Sequence, residues 1–364
     1  MMVCANPGFA TQIGIYHWGG VYPHSVSEGV ERIAQLGGTV ARITISARAT
    51  VDYQTGEDCA TDFSLPDAIQ SPDLVRALSN RQISTFIFTL YDDLTFGCDS
   101  QRYFDPSFYS PENTAALVQE YADLTLFLIQ NYPDKRFILD HWEGDNAIFC
   151  GTAYTYATDP QARARCDSNY QAWFGVASPA EGLRGLRLWL EARAAGVKEG
   201  SQLAAARGLP AGHVQVAAEM NIVRALHDHG LPSVLYDVLP GLAVDYVSYS
   251  AYESIGGPEP AAQLRADLDT IRSVSGLPVI IGEFGFPRAA RPDVVALDDV
   301  VVNAAAAWGV DYAVAWNLFD QSPTENFGVY DLQGQPTPLA PYFFQLFHSA
   351  AAPHPSHGRL INMR

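Results

Sequence analysis

The feature that most constrains the fold is an eightfold alternation of short, β-rich apolar runs with longer helical patterns. The runs cover Gln12–Trp18, Thr39–Ser46, Ser84–Tyr91, Arg136–Trp142, His213–Asn221, Val244–Tyr252, Pro278–Phe284 and Tyr312–Phe319, and turn residues bound them. Between them the spacing predicts helices over Ser27–Leu36, Asp73–Asn80, Asn113–Asn131, Pro179–Arg207, Val234–Leu239, Pro260–Ser275 and Val294–Trp308. Ser27, with Glu28 and Glu31 behind it, has the chemistry of a helix cap and acidic first turn. Strand then helix, eight times, is the pattern of a parallel sheet closed into a (β/α)₈ barrel. FILD, VQVAA, PVIIG and YAVAW are nearly continuous in apolar character, as strands buried on both faces must be. No linker or low-complexity tract interrupts the series. One α/β barrel domain over 1–350 and a loose tail over 351–364 account for all 364 residues, since such barrels exceed the ordinary domain length as single units.

Composition narrows the partners. With 18 Tyr, 18 Phe and 6 Trp the chain can fill a closed core. A net charge of −18 repels phosphate backbones and anionic lipid, so nucleic acid and membrane partners are not expected. A neutral glycan is compatible with it. No apolar run is long enough to span a bilayer, and MMVCANPGFATQIG lacks the basic and apolar regions of an intact signal peptide. Of the five cysteines, Cys150 and Cys166 bracket one Tyr-rich segment, while Cys59 and Cys98 follow neighbouring predicted strands. Two loop-stapling disulfides would suit a secreted enzyme and leave Cys4 odd. Five unrelated thiols is the alternative, and no CxxC pair supports a zinc site.

Chemistry in a barrel sits just past the C-terminal ends of the strands. Strand 7 reads PVIIGEFGFP and delivers Glu283 there; strand 4 reads RFILDHWEGDN and delivers Glu143. Two carboxylates so placed are what glycosidic hydrolysis needs, one to protonate the leaving oxygen and one beyond the anomeric carbon. Other readings compete. Glu283 could be a buried salt-bridge partner of Arg42, and Asp140 and Asp145 crowd Glu143. Asp140 belongs within the strand, where a barrel interior disfavours it, and Asp145 belongs in a solvated turn where Asp is ordinary. Strand 5, VQVAAEMN, adds Glu219, more naturally a hydrogen-bonding wall residue than a catalyst. His17, Trp18, Tyr91, His141 and Trp316 end predicted strands, where aromatic rings can stack on sugar faces or else fill the core. Strand alternation sends His141 and Trp142 to opposite faces. The connection Gly144–Ala177 carries Tyr154, Tyr156, Tyr170, Trp173 and Phe174. It is either a functional loop on the active face or an aromatic minicore that folds itself.

These strand ends together resemble the clan A glycoside hydrolases, the barrel superfamily of cellulases, mannanases and β-galactosidases. GEFG around Glu283 is similar to the clan's nucleophile strand. VARITIS places Arg42 where the clan has an Arg orienting the nucleophile, and AVAWNLFD places Trp316 where a Trp floors the cleavage subsite. DYVSYSAYES offers Tyr249 or Tyr252 for the tyrosine that bonds the nucleophile, and FGVYDLQGQPTPLAPYFF resembles the clan's exit from strand 8. The resemblance implies a retaining enzyme that cleaves β-glycosidic bonds with Glu283 and Glu143. It needs no cofactor or metal, acts as a monomer, and keeps its two carboxyl groups ~5–5.5 Å apart. One position departs from the clan: Trp142 stands where an Asn usually precedes the acid, so Asn146 or Asn221 must bind the sugar hydroxyl, or the role of strand 4 is altered. Two rivals remain at this level. One is a metal-dependent barrel gathering Glu143, Glu219, Glu283 and His141 around a divalent ion. The other is a glycan-binding barrel without catalysis.

Overall fold

Each apolar run becomes a parallel strand, and the strands close in sequence order, with β1 hydrogen-bonded to β8. The structure is a computed structural model that describes residues 12–18, 25–47, 59, 64–98 and 102–349; the expected tail over 351–364 and Cys4 lie outside them. In chain order the elements are β1 (Ile13–His17), α1 (Val26–Gln35), β2 (Val40–Ile45), α2 (Pro72–Leu78), β3 (Thr85–Leu90), α3 (Pro111–Asn131), β4 (Arg136–Asp140), α4 (Pro160–Phe174) and α5 (Pro179–Ala206). They continue with β5 (Val214–Met220), β6 (Tyr246–Ser250), α6 (Pro260–Ser275), β7 (Val279–Phe284), α7 (Val294–Trp308), β8 (Ala313–Ala315) and α8 (Leu339–Ser349). No helix among the described residues is long and apolar enough to cross a membrane.

Helix starts follow from local chemistry. Five helices, α2 to α6, carry Pro in their first turn, where its missing N–H would have no partner anyway. Ser110, Asp159 and Ser178 cap α3, α4 and α5 by accepting from the backbone N–H of Asn113, Gln161 and Glu181. The cap of α1 is Ser25, which accepts from Glu28 N–H. Ser27 is inside that helix, its N–H and hydroxyl turned to the Asp73 carboxylate of α2.

Three expectations change. The helix predicted over Val234–Leu239 is a single π-helical turn, Val234–Val238. β8 ends at Ala315 instead of Phe319 because the chain leaves β7 after the Phe284–Ala315 pairing; Leu318 N–H still reaches Tyr16 C=O at 2.8 Å. Segment 144–177 is mostly helical, with Gly144–Ile148, Ala153–Thr158 and α4 in succession. The eighth helix of the series, α8, has no counterpart among the helical patterns read from the sequence; its Leu339, Phe343 and Phe347 are buried.

Period-two alternation builds the interior. Tyr16, Val40, Ile87, Ile138, Ala217, Tyr246, Ile280 and Val314, one from each strand, form an apolar cluster inside the barrel. The residues between them, such as Ile15, Ala41, Phe86, Phe88 and Phe137, join the larger core between strands and helices. Two residues further along most strands, the same inward face reads Arg42, Thr89, Asp140, Glu219, Ser248 and Gly282. The barrel is thus plugged by an apolar layer and topped by a polar one at the C-terminal mouth.

Candidate active site

Arg42 is the centre of the polar layer and is wholly buried. Its Nε donates to Thr89 Oγ1 (2.9 Å), Nη1 to Glu219 Oε2 (2.7 Å) and to the Gly282 carbonyl (3.0 Å), and Nη2 to the His141 carbonyl (3.0 Å). The Tyr16 ring lies against the guanidinium at 4.5 Å. Asp140 and Glu283 stand off at 3.9 and 3.7 Å. Arg42 is expected to orient Glu283; its shortest ion pair is instead with Glu219.

Glu219 is the second hub, also wholly buried. Besides Arg42 it accepts from Glu143 N–H (3.0 Å), Ser248 Oγ (2.8 Å) and Ser250 Oγ (3.2 Å). Burial alone would raise its pKa; the Arg42 charge and hydrogen bond, with the Glu143 N–H, overcome that and hold it low. Room for this cluster comes from Gly282, where a Cβ would lie 2.2 Å from Ser248 Oγ and 2.4 Å from Glu219 Oε2.

Glu283 reaches the mouth by an irregularity in β7. Against β6, Ile280 pairs with Ser248 but Glu283 with Ser250; against β8, Ile281 pairs with Ala313 but Phe284 with Ala315. β7 therefore carries one residue more than each neighbour, a bulge around Gly282. Strict alternation from Ile280 would aim Gly282 inward and Glu283 at the helices. The bulge re-aims Glu283 into the barrel mouth. There Tyr252 donates its hydroxyl to Oε2 at 3.2 Å, while Oε1 faces Arg42 and accepts no hydrogen bond from the described residues. Burial pushes the Glu283 carboxyl well above its ordinary pKa; Arg42 opposes the shift, and Glu219 and Glu143 add to it. Of the two tyrosines proposed for this contact, Tyr252 makes it and Tyr249 turns to Ser254.

Glu143 follows β4 and opens the short helix Gly144–Ile148. Its Oε2 accepts from Asn146 Nδ2. Burial, then the Glu219 charge, pushes its pKa up to about 8. Asn146 takes the contact next to the acid, and its own N–H is held by Asn221 Oδ1 at 3.1 Å.

Several expectations are corrected by burial. Asp145 is not solvated. It is wholly buried, receives the N–H groups of Asn221, Ile222 and Val234, and burial raises its pKa to about 6. It ties β4 to β5. Asp140 does occupy the barrel interior, where burial and Glu219 push its pKa up to about 8 beside Arg42. His141 is buried and neutral, its pKa lowered to about 3 by burial and then by Arg193. Its Nε2 accepts from Glu219 N–H (2.9 Å), which fixes the tautomer with Nδ1 protonated toward the Trp142 carbonyl. Arg42, His141 and Glu219, which the sequence counts among the residues around the substrate, thus lie buried beneath the mouth and not on its surface. His17 is buried with Nε2 on the Ser25 carbonyl, under α1. Tyr91 is a core residue stacked on Trp189, its hydroxyl accepting from Trp142 N–H.

Trp18 and Trp316 remain half-exposed at the mouth, 6.0 Å apart, with Tyr16 edge-on to Trp316 at 5.0 Å. Tyr16, not among the residues singled out from sequence, donates its hydroxyl to Thr89 Oγ1 (2.8 Å) and lies 3.0 Å from Thr44 Oγ1; its place on the inward face of β1 is the signal that marks it. Two disulfides, Cys59–Cys98 and Cys150–Cys166, join the pairs proposed from sequence. Among the described residues no three His, Cys, Asp or Glu side chains are grouped so as to hold a metal.

No protein-family model matches the chain, and no curated protein is similar to it in sequence. Solved structures are similar in fold. A GH5_18 protein from Bifidobacterium longum subsp. infantis superposes with a TM-score of 0.57 at 16% identity, over 93% of this chain and 78% of that one. A β-glucosidase, in its apo form, gives 0.57 at 15%, over 91% and 88%. A GH5-4 broad-specificity endoglucanase from Clostridium acetobutylicum gives 0.51 at 14%, over 93% and 96%. The chain therefore shares its (β/α)₈-barrel fold with GH5 glycoside hydrolases and β-glucosidases.

Proposed function

We propose that the chain is a retaining glycoside hydrolase acting on β-linked oligo- or polysaccharides, with Glu283 as nucleophile and Glu143 as acid and base. One observation carries the reading: two buried carboxyl groups from β4 and β7 enter one mouth above a single cation, and their surroundings differ. Glu283 has Arg42 at 3.7 Å and the Tyr252 hydroxyl at 3.2 Å, both favouring its anion. Glu143 has the Asn146 amide and no ion pair within 4.0 Å among the described residues. These contacts favour the arrangement that the reaction needs, with the pair's one proton on Glu143 and the charge on Glu283.

The steps then balance. A Glu283 carboxylate oxygen bonds to the anomeric carbon as the bond to the leaving oxygen breaks, and Glu143 gives its proton to that oxygen. Glu143, now a carboxylate, takes a proton from water as the water oxygen bonds to the anomeric carbon and Glu283 departs. In this reading Trp316 and Trp18, both partly open at the mouth, face the sugar. Two extracytoplasmic-type disulfides accord with a secreted enzyme meeting its glycan outside the cell.

The test is Glu283→Gln assayed with activated aryl β-glycosides beside the wild type. Loss of a covalent catalyst removes all but about a hundredth of the rate or less. A variant keeping more than that overturns the assignment. Glu143→Ala should still complete the first step on an aryl glycoside and form glycosyl azide when azide is added.

A further inference from the structure

A cleft of about 840 Å³ runs outward from Glu143 and Tyr252, walled by Asn146, Thr152 and Tyr154 on one side and by Arg224, Glu259 and Gln263 on the other. We infer that this cleft receives the leaving-group side of the substrate, that it seats at least two neutral sugar units there, and that Tyr154 is the platform they stack on. The inference rests on the function proposed above and adds the substrate class.

Three observations support it. The first is position: of the two carboxyl groups, Glu143 lines the cleft and Glu283 does not. The group that protonates the leaving oxygen faces the part of the substrate that leaves, so the cleft extends from the aglycone side. The second is size and surface. A volume of that order is at the upper end of the ~300–1,000 Å³ that encloses a drug-sized ligand, more than one sugar ring fills. Its walls mix amide and hydroxyl groups with one open ring, the chemistry that recognises a carbohydrate. Tyr154 is 56% exposed, although the other tyrosines of its segment, Tyr156 and Tyr170, are buried.

The third is that Tyr154 is held in register with the acid. Asn146 donates to Glu143 through Nδ2 and accepts Ala153 N–H through Oδ1 at 2.8 Å. One side chain thus links the acid to the first residue of the helix that carries Tyr154. The Cys150–Cys166 disulfide ties the turn before that helix to α4, and Phe149 packs on Tyr156 at 4.7 Å beneath it.

Charge selects the ligand. Arg224 is the cleft's one described cation and is already paired with Asp267 at 3.1 Å. The Glu253 carboxylate is spent on the N–H groups of Val223, Arg224 and Ala225. Glu259 adds a further negative charge. Among the described lining residues the carboxylates outnumber this one cation, whose charge Asp267 already offsets, so a neutral glycan is preferred.

Binding to the inactive Glu283→Gln protein tests this without relying on turnover. The probes are neutral tetrasaccharides (β-1,4-gluco, β-1,4-manno, β-1,4-xylo and β-1,3-gluco), the matching monosaccharides, and a tetragalacturonate, followed by calorimetry. At least one neutral tetrasaccharide should bind, more tightly than its monosaccharide and than the uronate. Adding Tyr154→Ala should weaken it by about tenfold or more, and Tyr154→Phe should restore it. Equal binding with Ala at 154, preference for the uronate, or no binding by any neutral probe overturns the inference. Hydrolysis of an aryl glycoside by wild type in that last case would leave the proposed function standing. Tight, Tyr154-dependent binding with no hydrolysis by wild type would sink the function and spare the cleft.

Discussion

Gly282→Ala is the smallest change that tests the polar layer. The added methyl would sit 2.2 Å from Ser248 Oγ, 2.4 Å from Glu219 Oε2 and 3.0 Å from Arg42 Nη1. Carbon and oxygen need more than 3 Å, so the Glu219 carboxylate must move by an appreciable fraction of an ångström. It cannot do so and keep Arg42 at 2.7 Å and Glu143 N–H at 3.0 Å. If β7 yields instead, the cost is that of overpacking, about 1–3 kcal/mol. If the ion pair yields, it is that of breaking a buried pair, about 3–5 kcal/mol. β7 is paired with β6 and β8 before and after Gly282, and the Gly282 carbonyl is held by Arg42, so the backbone has little freedom to retreat and the second range is expected. That is a large share of a typical 5–15 kcal/mol stability. Urea unfolding at neutral pH measures it, with Gly257→Ala as control because no atom lies within 4 Å of its Cβ. Adding Ser248→Gly removes the nearest clash and should recover part of the loss, not all, because Glu219 still obstructs the methyl. A Gly282→Ala protein within about 1 kcal/mol of wild type would refute the account of Gly282 as the space that the network needs.

Three further outcomes follow from the same geometry. Glu143 has its pKa raised from 4.5 to about 8, so folding favours its protonated form; that contribution is complete below pH 4.5 and is lost as pH rises through 8. Glu143→Gln should therefore match wild type in urea near pH 4.5 and exceed it by a few kcal/mol at pH 9, with about 5 as the ceiling at about 1.4 per pH unit; parallel curves would contradict it. Glu219→Gln places an amide N–H against a donor on whichever side it points, since both oxygens now accept. It should cost about 3 kcal/mol or more, and, by removing the charge that raises Glu143, move the alkaline limb of kcat/KM to lower pH. Cys150→Ser opens a link spanning 16 residues, whose closure is worth up to about 3 kcal/mol; limited proteolysis should begin within 144–177 while the barrel persists, and cleavage elsewhere first would argue against a locally stapled insert.

Most of the barrel was legible in the sequence because its signals are local. Apolar runs of strand length, separated by helical patterns, survive in a parallel sheet buried on both faces. Segment 144–177 was obscure for the opposite reason: its helices are short or weakly amphipathic, and its aromatic residues divide between a minicore around Phe149, Tyr156 and Tyr170 and the exposed Tyr154 and Trp173. Asp159–Pro160, a cap followed by Pro at the first helical position, was the one cue that α4 begins there. Asp145 was misjudged because a turn residue in sequence can be a cap in space. Its three N–H donors come from Asn221, Ile222 and Val234, which no local pattern places beside it.

The direction of Glu283 shows where sequence reasoning reaches its edge. Inward and outward positions on β7 are set by period two, and by that count Ile280 and Gly282 share the inward face while Glu283 joins Ile281 toward the helices. A carboxylate there would be buried among apolar side chains with no partner, a costly arrangement. Two neighbours remove the conflict, since both β6 and β8 pair with β7 as though it had one residue fewer. The extra residue falls beside the position that must be Gly, so the bulge and the missing side chain serve one end. Gly282 leaves room for Glu219 to bind Arg42, and the shifted register turns the next residue into the mouth above them. Any insertion or deletion that restores regular pairing through 280–284 should therefore remove Glu283 from the mouth while leaving every neighbouring residue of the polar layer in the sequence.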